Sequence, residues 1–176
     1  MLNNIQELDH KPLVSFFLVT YNRKDEILRT INKLYEQLYR PIEIIVADNN
    51  SQDGSADAIE KQYPEVKLIR LVKNYGGLAG RNIVCKKTTG KYIVSLDDDS
   101  FPGKNCITRM VNKFENDPKL GLISFNIYNY HSFIKNYENE GHIPIENVEV
   151  ENYYWSGCGG GYRREIVEKF GYWEGR

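Results

Sequence analysis

Residues 92–99 read Tyr-Ile-Val-Ser-Leu-Asp-Asp-Asp, a short apolar run that passes directly into three consecutive carboxylates. Gly90 bounds the run on its other side. A continuous apolar segment between a glycine and acids is typical of a buried strand whose carboxyl end opens into a site. Adjacent carboxylates repel one another unless a cation or a hydrogen-bond network compensates them. The run therefore predicts a strand that ends in a site for Mg²⁺ or Mn²⁺ together with a phosphate-bearing substrate. The alternative is a solvated loop or a helix start, which Asp and Ser also favour.

Strand-like and helix-like segments alternate outward from this run. Continuous apolar runs predict strands at residues 13–20, 42–47, 66–72, 92–96 and 120–125. Apolar residues at helical spacing lie between and after them, in the sets Ile27, Ile31, Leu34 and Leu38; Ala56, Ile59 and Tyr63; residues 78–87; Ile107, Met110, Val111 and Phe114; and Ile166, Val167 and Phe170. Such β-α alternation predicts a mostly parallel sheet with helices on both faces.

Polar clusters follow four of the predicted strands. They are Thr-Tyr-Asn-Arg at 20–23, Asp-Asn-Asn-Ser at 48–51, Asn-Tyr-Gly-Gly at 74–77 and the three acids at 97–99. The carboxyl ends of parallel strands share one edge of a sheet, and ligands bind at that edge. We therefore expect one site built from all four clusters. The glycines at 157 and 159–161 predict a further backbone segment that approaches another group closely.

Composition limits the classes of function. The 176 residues suit a single domain, and the formal net charge of −1 argues against nucleic acid as a partner. The longest apolar stretch, residues 13–19, is too short to cross a bilayer, and the first residues lack a secretory pattern, so we expect a cytoplasmic protein. Three widely separated cysteines, without metal or redox spacing, are expected to be reduced thiols.

Three of these clusters belong to longer motifs at residues 48–55, 74–82 and 96–99. Together with the first cluster, and in this order along the chain, they strongly resemble the motifs of the family 2 glycosyltransferases. The resemblance implies the GT-A fold, an α/β/α sandwich with a mostly parallel, Rossmann-like central sheet that binds a nucleotide-diphospho-sugar. It implies one domain over residues 1–176, in which 13–125 form the sugar-donor half and 126–176 begin the acceptor half.

The resemblance also implies roles for individual residues. Tyr21 would stack on the nucleobase, Asp48 would accept a hydrogen bond from its edge, and Arg81, at the start of a helix, would contact the diphosphate. Asp97 and Asp99 match the ends of an Asp-x-Asp motif that contacts ribose and metal, with Asp99 the stronger metal ligand. The predicted donor-binding residues are Thr20, Tyr21, Asn22, Asp48, Asn50, Gly77, Arg81, Asp97 and Asp98, and the predicted metal ligands are Asp99 and Asp97. Alternatives are a packing role for Tyr21, a turn role for Asp48 and an exposed helix position for Arg81.

The implied activity is metal-dependent transfer of a sugar, with inversion, from a nucleotide-diphospho-sugar to a carbohydrate or lipid-linked acceptor. A UDP- or dTDP-sugar is favoured as donor. The implied setting is polysaccharide or glycoconjugate synthesis at the inner face of the membrane, which would suit a peripheral membrane association. The aromatic side chains of Tyr153, Tyr154 and Trp155 either stack on sugar rings or cover the edge of the core.

Two other functions stay open at this point. In the family an acidic motif that supplies the general base follows the equivalent of residues 171–174, so we expect the base beyond Arg176 and a chain that lacks its C-terminal portion. A nucleotide-sugar-binding module without turnover is therefore one alternative. A sugar-phosphate nucleotidyltransferase is disfavoured, because residues 20–23 lack the glycines of its phosphate-binding loop.

Overall fold

The computed structural model describes residues 11–126 and 158–171, and they form one sheet between two layers of helices. The strands are β1 Val14–Thr20, β2 Ile42–Asp48, β3 Lys67–Arg70, β4 Tyr92–Ser95, β5 Leu122–Ser124 and β6 Gly160–Arg163. The helices are α1 Lys24–Tyr35, α2 Ser55–Gln62, α3 Gly76–Cys85, α4 Cys106–Asn116 and α5 Arg164–Phe170. No helix among the described residues is long and apolar enough to cross a membrane.

The sheet has the strand order β3-β2-β1-β4-β6-β5. Neighbours among β1 to β4 run parallel, whereas β6 is antiparallel to both β4 and β5. The carboxyl ends of β1, β2, β3 and β4 therefore meet along one edge, as the sequence predicts. All five predicted strands and all five predicted helices are present.

Alternate residues of β1 are buried on opposite faces of the sheet. Phe16 and Leu18 belong to a core that α1, α2 and α4 cover, whereas Phe17 belongs to a core that α3 and α5 cover. The central strands are apolar on both faces because each face is covered by helices. The predicted α/β/α sandwich is thus confirmed.

The prediction that Leu38 continues the apolar stripe of α1 is wrong. The helix ends at Tyr35, and Leu38 is 66% exposed. The Arg40 guanidinium donates to the carbonyl oxygens of Tyr35 and Gln37, both at 2.7 Å. These bonds satisfy backbone acceptors at the helix end, so the chain can leave the helix before Leu38.

The glycine-rich run near residue 160 contains a strand that sequence patterns did not predict. β6 lies between β4 and the predicted last strand, which are therefore not neighbours. Glycine disfavours strands, so the residues of this run alone did not indicate one. A Cβ on Gly161 would collide with the Met110 sulfur, which means that α4 packs directly on the β6 backbone. The expected close approach is thus observed, within a strand.

Candidate functional site

An open cleft of about 360 Å³ lies at the carboxyl ends of the parallel strands. Its lining includes seven of the predicted site residues, namely Thr20, Tyr21, Gly77, Arg81, Asp97, Asp98 and Asp99. Val19, Arg23, Asn49, Asn74 and Gly76 complete the lining. Loops that follow β1, β2, β3 and β4 all contribute, so the four polar clusters form one site.

Asp98, the central acid after β4, is held in place by its neighbours and is 7% exposed. The Thr20 hydroxyl donates to its Oδ2 at 3.0 Å, and Arg23 Nη1 lies 3.3 Å from its Oδ1. The Thr30 hydroxyl donates to its backbone carbonyl oxygen at 2.8 Å. Burial raises the pKa of Asp98, while the Thr20 hydrogen bond and the Arg23 charge oppose that rise. Asp98 therefore connects the ends of β1 and β4 as well as lining the cleft.

The flanking acids are more open, and each pairs with a different arginine. The side chains of Asp97 and Asp99 are 41% and 43% exposed. Asp97 Oδ1 contacts Arg81 Nη2, and Asp99 Oδ2 lies 2.8 Å from Arg23 Nη2. Two carboxylates of the predicted Asp-x-Asp motif thus face the cleft, each with a cationic partner that solvent or a ligand can reach.

Asp48 lies at the end of β2, opposite Thr20 in the parallel register, and is 3% exposed. Its Oδ2 accepts a hydrogen bond from the backbone nitrogen of Ser51 at 3.0 Å. Its Oδ1 is buried and has no hydrogen-bond partner among the described residues. An unpaired buried carboxylate oxygen is costly, so a hydrogen bond from an N–H group would stabilise it. Asp48 adjoins the cleft but is not part of its lining.

Asn22 and Asn50 also lie outside the cleft lining, and both adopt left-handed backbone conformations, with φ of +52° and +67°. Asn22 links its loop to the next one, because its backbone nitrogen donates to Ser51 Oγ at 2.9 Å and its Oδ1 accepts from the Gln52 nitrogen at 2.7 Å. Asparagine tolerates this conformation better than most residues. The observed contacts of these two residues shape the loops around the cleft.

Asn49 and Arg23 are cleft residues that the sequence did not single out. Asn49 is 2% exposed; its Nδ2 donates to Asn74 Oδ1 at 2.8 Å, and its Oδ1 accepts from the Tyr75 nitrogen at 2.8 Å. It thereby fixes the loop before α3 against β2. Both residues belong to polar runs that the sequence did identify, at 20–23 and 48–51, so only their individual roles were missed.

Arg81 lies in the second turn of α3, not at the helix start as predicted. The helix begins at Gly76, whose φ of +80° is unfavourable for residues with a side chain. Arg81 follows Gly80, where α3 packs closely on β1: a Cβ there would lie 2.9 Å from a Val19 methyl group. The close packing brings the guanidinium of Arg81 to Asp97 and into the cleft.

The donor atoms at the cleft suit a hard divalent ion. Asp97 and Asp99 present carboxylate oxygens, and Mg²⁺ or Mn²⁺ commonly uses one or two carboxylates together with substrate phosphates. Within residues 11–126 and 158–171, no group of three or more His, Cys, Asp or Glu side chains is arranged to hold a metal. Two carboxylates are fewer ligands than these ions need, so a metal here would have to take further ligands from a bound diphosphate and water.

Some sequence-based predictions concern residues outside the described ranges. These are the aromatic residues Tyr153, Tyr154 and Trp155 and most of the acceptor half at 126–176.

Two curated bacterial proteins are similar to this chain. One is UDP-Glc:alpha-D-GlcNAc-diphosphoundecaprenol beta-1,3-glucosyltransferase WfaP of Escherichia coli, 32% identical over 121 residues that cover 68% of this chain and 46% of the relative. The other is poly-beta-1,6-N-acetyl-D-glucosamine synthase of Staphylococcus aureus (strain MSSA476), 29% identical over 125 residues that cover 70% of this chain and 30% of the relative. The chain spans less than half the length of these relatives.

Two solved structures share the fold. The mannosyltransferase PcManGT from Pyrobaculum calidifontis, in complex with GDP-Man and Mn²⁺, has a TM-score of 0.70 at 22% identity over 94% of this chain and 48% of that chain. S. aureus TarS 1-349, in complex with UDP-GlcNAc, has a TM-score of 0.72 at 20% identity over 89% of this chain and 47% of that chain. The GT-A fold implied by the sequence is confirmed. The model of Glycosyl transferase family 2 matches residues 15–171, and the chain therefore belongs to glycosyltransferase family 2.

Proposed function

We propose that this chain is the sugar-donor-binding part of a metal-dependent, inverting glycosyltransferase, with residues 13–125 as the donor half and 126–176 as the start of the acceptor half. The observation that carries the proposal is the cleft itself. It presents an aromatic side chain, two arginines and three carboxylates at one sheet edge, next to a buried carboxylate oxygen of Asp48 that has no partner among the described residues.

The nucleobase is recognised by Tyr21 and Asp48. Tyr21 is 44% exposed at the mouth of the cleft, so its ring is available for stacking on a base. Asp48 Oδ1 accepts a hydrogen bond from the base, and the imide N–H of uracil or thymine supplies such a donor. This chemistry favours a UDP- or dTDP-sugar. The names of the similar Escherichia coli protein and of the TarS complex also mention UDP-sugars.

The diphosphate is bound by Arg81 and by the metal ion. The Arg81 guanidinium lies in the cleft and provides paired N–H donors that match phosphate oxygens. Asp97 and Asp99 would hold Mn²⁺ or Mg²⁺, with Asp97 also near the ribose, and the bound metal stabilises negative charge on the departing nucleoside diphosphate. The PcManGT complex contains Mn²⁺, which supports the choice of metal.

The transfer itself is a direct displacement at the anomeric carbon. An acceptor hydroxyl attacks the face opposite the nucleoside diphosphate, and a carboxylate takes the hydroxyl proton. We assign that general base to a residue outside the described ranges. The names of the similar proteins support a carbohydrate or lipid-linked acceptor and a role in polysaccharide or glycoconjugate synthesis. We place this role at the cytoplasmic side of a membrane, as the family resemblance implies.

Calorimetric titration tests this proposal. The purified chain is titrated with UDP, dTDP and GDP, each with Mn²⁺ and with EDTA. We expect metal-dependent binding of UDP or dTDP and weaker binding of GDP. Absence of metal-dependent binding for all three nucleotides would overturn the donor site. Sugar release from a UDP-sugar with and without added acceptor then distinguishes an enzyme from a binding module.

A further inference from the structure

Arg23 contacts two acids of the 97–99 run at once. Its Nη2 lies 2.8 Å from Asp99 Oδ2, and its Nη1 lies 3.3 Å from Asp98 Oδ1. Its side chain is 45% exposed and lines the cleft. The two contacts differ in their surroundings, because Asp98 is buried and also bonded to Thr20, whereas the Asp99 side chain is 43% exposed.

A metal ion and Arg23 compete for Asp99. Asp99 is the stronger of the two proposed metal ligands, and its Oδ2 is the atom that Arg23 occupies. A cation at that carboxylate would be repelled by the guanidinium unless the guanidinium moved. The guanidinium is rigid, but it can pivot about its contact with Asp98, so that Nη2 leaves Asp99 while the buried Asp98 charge stays paired.

We propose that Arg23 is a positioning residue that holds Asp99 in the nucleotide-free protein and exchanges it for the sugar donor's diphosphate when a metal ion binds. During this exchange the Arg23 contact with Asp98 is kept. The inference rests on the proposed function, since it requires the metal and the diphosphate to enter this cleft. Arg23 lines the same cleft as Arg81, so both guanidinium groups face the space that a diphosphate would occupy.

The exchange keeps the charge of the cleft nearly constant. In the nucleotide-free protein, Arg23 and Arg81 partly neutralise the three acids of the 97–99 run. A divalent cation and the two negative charges of a diphospho-sugar cancel each other when they enter together. Either one alone leaves an unbalanced charge, which is unfavourable in a partly buried site. Arg23 strengthens this mutual dependence, because it opposes the metal at Asp99 and is freed for the diphosphate once the metal has bound.

The test compares Arg23→Gln with wild type in two separate measurements. The affinity for Mn²⁺ without nucleotide is read from the free-Mn²⁺ signal in electron paramagnetic resonance, and the affinity for UDP at saturating Mn²⁺ is read by calorimetry. We expect Arg23→Gln to bind Mn²⁺ alone about threefold to tenfold more tightly, because the competing cation is gone. We expect it to bind UDP with Mn²⁺ about threefold to tenfold more weakly, because a phosphate contact is lost.

Arg70→Gln is the matched control. Arg70 is 46% exposed and pairs with two carboxylates, Asp57 and Glu60, so the substitution removes the same charge and the same kind of double contact at another place. It should leave both affinities at the wild-type values. Arg23→Lys, which keeps the charge but cannot span two carboxylates, should lie between wild type and Arg23→Gln, and it replaces Arg23→Gln if that variant fails to fold.

Opposite shifts of the two affinities support the inference, since a general loss of stability would weaken both. If wild type binds UDP with Mn²⁺ but both Arg23 variants keep wild-type affinities, the exchange is wrong and the proposed function stands. If wild type binds no nucleotide with Mn²⁺, the exchange and the proposed function are both wrong.

Discussion

The Thr20 hydroxyl donates a buried hydrogen bond of 3.0 Å to the Asp98 carboxylate, across 78 positions of the chain. It joins the carboxyl ends of β1 and β4, two of the four strands whose following loops form the cleft. The three consecutive acids therefore divide into a central one that fixes the loop and two flanking ones that line the cleft with side chains 41% and 43% exposed to solvent. A cluster that looks uniform in sequence thus contains two different roles.

Thr20→Val should destabilise the fold, because it removes the hydroxyl and leaves a buried carboxylate oxygen of Asp98 without that donor. We expect the free energy of unfolding to fall by about 1–3 kcal/mol, the usual cost of an unsatisfied buried polar group. Urea denaturation at neutral pH measures this. Thr20→Ser retains the hydroxyl, so its free energy of unfolding should fall much less. Equal stability of the Val and Ser variants would contradict the role given to this hydrogen bond.

Asp99→Ala should abolish the metal-dependent part of nucleotide binding and leave the fold intact, because the side chain is exposed and its partner Arg23 keeps its contact with Asp98. Calorimetry with UDP, in Mn²⁺ and in EDTA, should give the same affinity in both buffers. Asp57→Ala is the control, since Asp57 is also an exposed partner of an arginine. An undiminished effect of Mn²⁺ in Asp99→Ala would exclude Asp99 as a ligand.

The strands and helices of this fold were predictable because its central strands are apolar on both faces and its helices carry a clear apolar stripe. β6 was not, because its strand character comes from its neighbours: β4 and β5 supply the hydrogen bonds, and Gly161 admits Met110. Tertiary contacts that override local preference leave no periodic pattern in the sequence.

The sequence predicted where the cleft lies, but it predicted fewer of the contacts between the residues that form it. Strand ends converge in any parallel sheet, so the four polar clusters had to meet. Which residue in each cluster faces the ligand depends on side-chain partners. Asn49, for example, is buried and accepts a hydrogen bond from the backbone nitrogen of Tyr75. Arg23 forms an ion pair with Asp99, which follows β4. Such long-range pairings cannot be read from one strand end alone.

Asp48→Asn should weaken UDP binding by about tenfold to a hundredfold, the effect of one mismatched buried hydrogen bond. Oδ2 accepts from the Ser51 nitrogen, so the amide oxygen keeps that position and the new NH₂ group replaces the unpaired Oδ1. A donor would then face the N–H of the base. The matched control is inorganic pyrophosphate with Mn²⁺, whose affinity should not change. An equal loss of affinity for pyrophosphate would contradict a role of Asp48 in base recognition.

Protonation of the Glu43 carboxylate should make the protein less stable in acid. At the amino end of β2, the carboxylate accepts hydrogen bonds from Ser15 Oγ at 2.5 Å, Lys67 Nζ at 2.6 Å and the Thr89 nitrogen at 2.5 Å. Burial alone would raise the pKa of Glu43, but these bonds outweigh it and lower the pKa to about 2 from 4.5. Because the folded-state pKa is depressed, the stabilisation is complete above pH 4.5 and is lost as the pH falls towards 2.

The measurement for Glu43 is the free energy of unfolding in urea as a function of pH. Wild type should lose up to roughly 3 kcal/mol more than Glu43→Gln across this window, since the variant has no carboxylate to protonate. Glu65→Gln, which removes an exposed carboxylate elsewhere on the surface, should keep nearly the wild-type slope. Parallel curves for wild type and Glu43→Gln would show that Glu43 does not drive the acid sensitivity.

Gly90→Ala should be strongly destabilising, because the space beside Gly90 is filled by the backbone of the central strand. A Cβ at this position would lie 2.6 Å from the Leu13 carbonyl oxygen and 2.8 Å from the Ser15 nitrogen. β1 is held between β2 and β4 and cannot retreat, so we expect a loss of about 3 kcal/mol in urea denaturation. Gly103→Ala meets no atom within 4 Å and should stay within about 0.5 kcal/mol of wild type. Equal stability of the two variants would mean that β1 and the loop before β4 can separate, and the parallel pairing that brings Thr20 to Asp98 would then be less rigid than these contacts imply.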